Sequence, residues 1–364
     1  MHYKVPSSIG MSMFAISFNA GSYWEKEGTR GTSHFMEHLM CKTYEDLYFK
    51  FTELGMDENA YTATNQVTFF CAGLDDCVAE LSQTILDRLT KQDNLWSEKQ
   101  FEIEKKIILQ EYHDSFNNQM DGAISNFFRS YYNQCGPIGY REDIENFTYE
   151  QSLQTAKEKF SRPSKIIEVG LHSVKYNGEF DTTPLDKTAQ FGSYDLHCEK
   201  VPKEDQTAIC LIYTTPLDIS LGSKASLLAS CVAEGLESPL YQELREKQGL
   251  VYSVWLAHEI IGADIIPLAA AQTSLKNEVK LETEFKKFFD QDMKDVISKE
   301  RFNLCKKGLL IQKKKGEVLP YRGVWGTLLS DFNHYENIID FSYKDAIDLA
   351  NELFCISNFE VAKF

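Results

Sequence analysis

An order of elements that runs twice is the feature that most constrains how this chain folds. In each half β-rich segments come first and long helical patterns follow, on either side of a polar, turn-rich stretch at 175–198. Met11–Asn19 reads as a strand ending at Gly21, and helices are predicted at Thr29–Thr43 and at Tyr44–Leu54, closed by Gly55. Asn59–Leu74, rich in Thr, Val, Tyr and Phe, reads as a strand pair. Helices follow at Asp76–Leu89, Ser97–Ser130 and Tyr149–Phe160, then a β-rich end at Lys165–Val174. The second half predicts a strand at Gln206–Thr214, a long helix at Gly222–Lys247 and a strand pair at Val251–Ala271. Helices are predicted again at Lys276–Asp290 and Ile297–Lys314. Strands followed by runs of helices imply an α+β fold, a mostly antiparallel sheet with helices packed on one face. At 364 residues the chain exceeds the comfortable size of one core. We therefore expect two domains, at 1–185 and 186–364, related by element order.

Composition removes several classes of function. The hydrophobic content of 43% with 25% charged residues is that of a globular protein. A formal net charge of −16 repels nucleic acid and anionic membrane over most of the surface. The basic run Lys313-Lys314-Lys315 then reads as solvated helix or loop. No stretch approaches the ~18 apolar residues of a membrane span. The nine cysteines are scattered, with no C-x-x-C pair, which fits reduced thiols and a cytoplasmic location. The apolar run Met11–Phe18 has only Lys4 as a basic residue before it and no small-residue cleavage site after it, so no signal peptide is expected.

The chemistry concentrates in Ser33-His34-Phe35-Met36-Glu37-His38-Leu39, which has the spacing H-x-x-E-H. Four residues along a helix return to the same face, about 6 Å further along the axis. Two imidazoles so placed can share one tetrahedral ion at ~2.0–2.1 Å. Phe35, Met36, Leu39 and Met40 form an apolar stripe, while His34, Glu37, His38 and Cys41 fall on another. Glu37 is thereby held where it can act as a general base toward water activated by a metal. A catalytic zinc also needs a third protein ligand and an open position. Glu104, Ile107, Ile108 and Glu111 recur on one stripe of the helix Ser97–Ser130, with Phe101 a turn earlier, and are expected to face inward. Two carboxylates on such a stripe require cations or strong donors. One would bind metal and the other would act behind it. The spacing also fits two surface or core histidines, and the carboxylates a solvated face. The remaining histidines, His2, His113, His172, His197, His258 and His334, lack ligand spacing and read as structural or surface.

With these residues in place, the chain resembles the pitrilysin/insulinase family of zinc peptidases with the inverted H-x-x-E-H motif, in particular its mitochondrial processing peptidase-like subgroup. The resemblance runs through Ala20-Gly21-Ser22, Gly31 to Met40, Glu58-Asn59-Ala60-Tyr61-Thr62 and the glutamates Glu104 and Glu111. It implies one Zn2+ per chain, held by His34, His38 and Glu111, with Glu37 as base and Glu104 in support. Asn59 and Ala60 would lie on an edge strand that pairs with the substrate backbone. The second half carries Arg245-Glu246-Lys247-Gln248-Gly249-Leu250-Val251-Tyr252-Ser253. There the family uses the arginine and the tyrosine to hold the substrate carbonyl, as oxyanion donors can. The sequence departs from the family at Cys41-Lys42-Thr43-Tyr44, which lacks the customary Gly-Thr. It departs again at Asn65, where an acidic residue is common. Both changes bear on substrate range.

The resemblance further implies an endopeptidase acting on peptides or short unfolded polypeptides in an enclosed chamber. Two chains, a homodimer or a heterodimer with a paralogue, would complete the site. A non-catalytic scaffold or assembly subunit of the same fold is the alternative, although such subunits usually lose a ligand or the base.

Overall fold

The computed structural model describes residues 1–7, 9–117, 119–171, 174–194, 206–318 and 336–363. They fall into two compact units. The first contains Met1–Asp114 and Gln134–Leu185, and the second contains Ser115–Asn133 and Asp186–Gln312 together with residues 336–363.

The first unit is built on a five-stranded sheet: β1 (His2–Val5), β2 (Met11–Phe18), β3 (Asp57–Thr62), β4 (Val67–Leu74) and β5 (Lys165–Val169). The strand order is β1-β5-β2-β4-β3. All pairs are antiparallel except β1 with β5. Strand β2 is central and apolar on both faces. Its Met13 and Ala15 join Ala72, Ile167 and Val169 in one cluster, while Phe18 packs edge-on against Phe69 on the other face. Strand β3 forms one edge, opposite β1, and its Ala60 N–H donates to the neighbouring Asn59 Oδ1 at 2.8 Å.

Helices α1 (Thr32–Cys41), α2 (Tyr48–Leu54), α3 (Asp75–Lys91) and α4 (Glu98–Asn117) complete most of this unit. The predicted helix Thr29–Thr43 is shorter than expected, and a 3₁₀ turn at Lys42–Leu47 replaces the start of the one predicted from Tyr44. Tyr44 leaves helical geometry there (φ −133°, ψ 22°) and buries its ring. The predicted helix Ser97–Ser130 is two helices, α4 and α5 (Gln119–Tyr132), and α5 belongs to the second unit. Within that unit the Tyr132 hydroxyl donates to the Tyr213 carbonyl, and Tyr131 stacks on Phe191 at 5.5 Å.

The second unit has its own sheet. Strand β9 (Asp264–Ser274) pairs antiparallel with β6 (Gln206–Tyr213), β7 (Leu217–Asp218) and β8 (Val254–Ile261). A final strand, β10 (Phe359–Lys363), extends the sheet beyond β6. The predicted helix Gly222–Lys247 is interrupted. It runs from Gly222 to Ala233, breaks, and resumes at Pro239. Gly235 adopts φ 83° in the break, and Pro239 has no N–H to continue the ladder. That stop was written in the sequence as Gly and Pro. The eight described cysteines are all free thiols. Among the described residues no helix is long and apolar enough to cross a membrane.

Candidate metal centre

The site is assembled from α1, α4 and β3, all within the first unit. Helix α1 buries Phe35, Met36, Leu39 and Met40, and Phe35 stacks on Phe101 of α4 with ring centroids 5.1 Å apart. That contact presents the polar stripe of α1 to α4. The helix begins at Gly31 (φ 91°), which offers no side-chain cap. Its first N–H groups are taken instead by Glu25, whose two oxygens accept from Gly31 N and Ser33 N at 2.7 Å each. A carboxylate at a helix N-terminus also complements the dipole. Arg30 N is held in turn by Asp143 at 2.8 Å. The backbone of Gly31 lies so close to Gly139 that a Cβ on Gly139 would sit 2.2 Å from Gly31 Cα.

His34 and His38 face each other edge to face, with centroids 5.1 Å apart. Glu111 Oε2 lies 3.5 Å from His34 Nε2 and 3.7 Å from His38 Nε2. The three donor atoms all lie within 4.8 Å of one another. A tetrahedral zinc bonded at ~2.0–2.2 Å holds its ligands roughly 3.3–3.5 Å apart. Two imidazoles and a carboxylate therefore match zinc in number, type and spacing after a small closure.

The opposite nitrogen of His38 is also fixed, since Nδ1 lies 3.1 Å from Glu104 Oε2. Donation from Nδ1–H to this carboxylate leaves the Nε2 lone pair for a metal, the usual support of a metal-binding histidine. The second oxygen of Glu104 meets Lys42 Nζ at 2.9 Å. Burial alone would raise the Glu104 pKa, but His38 and Lys42 together draw it below the ordinary value. Burial, then the neighbouring His38, lowers His34 to about 4, so its imidazole is neutral near pH 7. Burial lowers His38 too, but the bond to Glu104 and the nearby carboxylates outweigh it and raise the pKa.

Glu37 is buried, and its Oε2 accepts from Thr62 Oγ1 at 2.6 Å. Burial, the largest influence, raises its pKa; Thr62 and His38 oppose the rise and Glu111 adds to it. A bound cation would pull in the lowering direction.

The structure brings together His34, Glu37, His38, Glu104 and Glu111. The expected inward stripe of α4 needs correction. Phe101, Glu104 and Ile108 are buried, but Ile107 is 40% exposed and Glu111 stands on the same open flank. One helical turn separates Ile107 from Glu111, so the two share a flank rather than the buried face. Sequence reasoning missed Lys42, Thr62 and Glu25. Glu25 left a usable signal: an acidic residue just before a helix that starts on glycine. The partners of Lys42 and Thr62 come from elements distant in sequence and left none.

Arg245 and Tyr252 lie in the second unit. Gln242–Lys247 is wound as a π-helix, and its Arg245 guanidinium stacks between the Tyr241 and Tyr252 rings at 4.9 and 4.8 Å. Its Nη1 donates to the Tyr252 carbonyl at 2.8 Å, while Tyr252 itself is 81% exposed. Gly249 closes the segment in the left-handed region (φ 60°). Of the other histidines, His2 bonds Glu168 at 2.8 Å, His113 is exposed beside Asp114, and burial lowers the His258 pKa to about 4. His172, His197 and His334 lie outside the described residues.

This is a two-unit α+β architecture in which the motif helix α1 is met by Glu104 and Glu111 of α4. Residues 7–139 match the insulinase domain (peptidase family M16), and residues 146–309 match the domain described as the peptidase M16 inactive domain. The chain belongs to the insulinase family of zinc peptidases. It is 24% identical to an uncharacterized zinc protease of Rickettsia bellii, over 98% of this chain and 92% of that protein. It is also 26% identical to the mitochondrial-processing peptidase subunit beta of Neurospora crassa, over 45% of this chain and 35% of that one. A protease from Helicobacter pylori has the same fold at 16% identity (TM-score 0.78), the match covering 99% of this chain and 95% of that one.

Proposed function

We propose that the chain is a zinc metalloendopeptidase acting on peptides or short unfolded polypeptides. The observation that carries this reading is the convergence of His34, His38 and Glu111 donor atoms beside Glu37, with His38 Nδ1 3.1 Å from Glu104 Oε2. When bound, zinc supplies Lewis-acid chemistry: it polarises the scissile carbonyl and makes a water molecule acidic. His34 Nε2, His38 Nε2 and a Glu111 oxygen would hold the ion, and Glu104 would keep His38 in its ligating tautomer. The free oxygen of Glu37 takes the proton of the attacking water and later delivers it to the leaving amine nitrogen.

Asn59 and Ala60 bind substrate at the edge of β3, where the Ala60 N–H donates to the adjacent Asn59 side chain. In the second domain, which we place at 186–364 after a zinc domain at 1–185, Arg245 and Tyr252 donate to the developing oxyanion. We place the enzyme in the cytoplasm as a homodimer, or as a heterodimer with a paralogue, with these two residues serving the partner's site.

The test is metal analysis of purified protein alongside a Glu37→Gln variant on a mixed peptide library. We expect one zinc per chain in both proteins and cleavage in the wild type, reduced roughly 100- to 10,000-fold in the variant. Equal cleavage by the two proteins, or no bound zinc, refutes the reading. Bound zinc without cleavage in either protein is the result expected of an assembly subunit.

A further inference from the structure

We propose that Thr62 is a positioning residue for Glu37, and that edge strand β3 thereby ties substrate binding to the orientation of the base. The inference rests on Glu37 acting as that base.

A glutamate side chain has three rotatable bonds and gains as a base only if its carboxylate is held. Within α1, backbone geometry fixes where Glu37 begins and leaves its carboxylate free to turn. The fixing contact comes from outside the helix: Thr62 Oγ1 donates to Glu37 Oε2 at 2.6 Å, a short, charge-assisted bond. Among the described residues no other side chain donates to this carboxylate. One oxygen is thus engaged, and the other is left to take a proton.

The arrangement follows from the period-2 pattern of β3. Glu58, Ala60 and Thr62 share one face of the strand. Glu58 accepts from the buried Tyr44 hydroxyl at 2.8 Å, so the strand is tied at one end to the turn after α1 and at the other to Glu37. Tyr61, on the opposite face, packs against the cluster of Met13, Ala15, Ala72, Ile167 and Val169. Among the described residues no strand pairs with β3 on its outer side. A peptide that added there would extend the ladder through the residues leading to Thr62, and so steady the hydroxyl that holds the base.

Two variants of the full zinc-loaded chain test this. Thr62→Val keeps the shape and removes the hydroxyl, and Thr62→Ser keeps the hydroxyl. With the peptide that wild type cleaves fastest, Thr62→Val should lower kcat roughly 10- to 100-fold. KM should change by less than about twofold, because the lost contact touches the base and not the substrate. Zinc content and thermal midpoint should stay at wild-type values, and Thr62→Ser should recover most of kcat. In crystals of the same proteins the Glu37 carboxylate should leave its position in Thr62→Val and keep it in Thr62→Ser. Wild-type kcat in Thr62→Val, or an unmoved Glu37 carboxylate, overturns the proposal. So does a fall in kcat that tracks lost zinc or lost stability and is not rescued by serine. If wild type and Glu37→Gln cleave alike, the peptidase reading fails separately, and the crystallographic position of Glu37 still decides whether Thr62 holds it.

Discussion

Glu104 offers the sharpest test of how the centre is held. Its side chain is 5% exposed, with one oxygen 3.1 Å from His38 Nδ1 and the other 2.9 Å from Lys42 Nζ. Glu104→Gln keeps the shape and removes the charge. An amide has one accepting oxygen, so it can serve His38 or Lys42, and its NH2 group then faces the donor it does not serve. Charge-assisted bonds contribute about 1.5–3 kcal/mol each, but zinc feels only the part transmitted through His38. Losing that support weakens metal binding roughly 10- to 100-fold, about 1.4–2.8 kcal/mol. The Lys42 contact adds little to this, because the lysine side chain is a quarter exposed and such pairs contribute about 1 kcal/mol or less to stability. The assay is zinc affinity by competition with a chromophoric chelator, with Lys42→Met alongside. We expect the larger loss in Glu104→Gln and a smaller one in Lys42→Met. An unchanged zinc dissociation constant in Glu104→Gln would refute the view that His38 depends on this carboxylate.

Three further outcomes are expected. Gly139→Ala places a Cβ against the Gly31 backbone at a position with φ 68°, and should destabilise the first unit by about 2–4 kcal/mol, read as a lower unfolding midpoint in urea. Burial raises Glu259 from 4.5 to about 7, so between those values the native state holds a proton that the unfolded chain has released. Its contribution to stability is lost as pH rises through that window, and Glu259→Gln should raise the thermal midpoint at about pH 8 while changing it little near pH 4.5. If Arg245 acts across a dimer, mixing inactive Glu37→Gln with inactive Arg245→Ala should restore cleavage. A monomer in sedimentation with full activity would exclude that role.

The centre was legible in part because its core is local. A helix returns to the same face every three to four residues, so H-x-x-E-H alone places two imidazoles and a carboxylate side by side. The strand β2, buried on both faces, was visible for a similar reason, as a continuous apolar run bounded by glycine. The interruption at Gly235 and Pro239 is carried by those two residues, although the apolar pattern on either side of it continues at helical spacing. Strand β1 could not be read that way. It is four residues long and is held by a parallel pairing with β5 across most of the first unit.

The sequence by itself therefore determined the motif helix and the α+β class, because helical and strand periods are properties of consecutive residues, while the family entered through the resemblance of its motifs. Tertiary structure decided what surrounds the motif. It set Lys42 beside Glu104, Thr62 on Glu37, Glu25 at the start of α1, and Ile107 on the open flank rather than the buried one. It also separated α5 from α4 and grouped it with the second unit. Each depends on which element lies opposite another, and hydrophobic burial between distant segments settles that without leaving a period in either one.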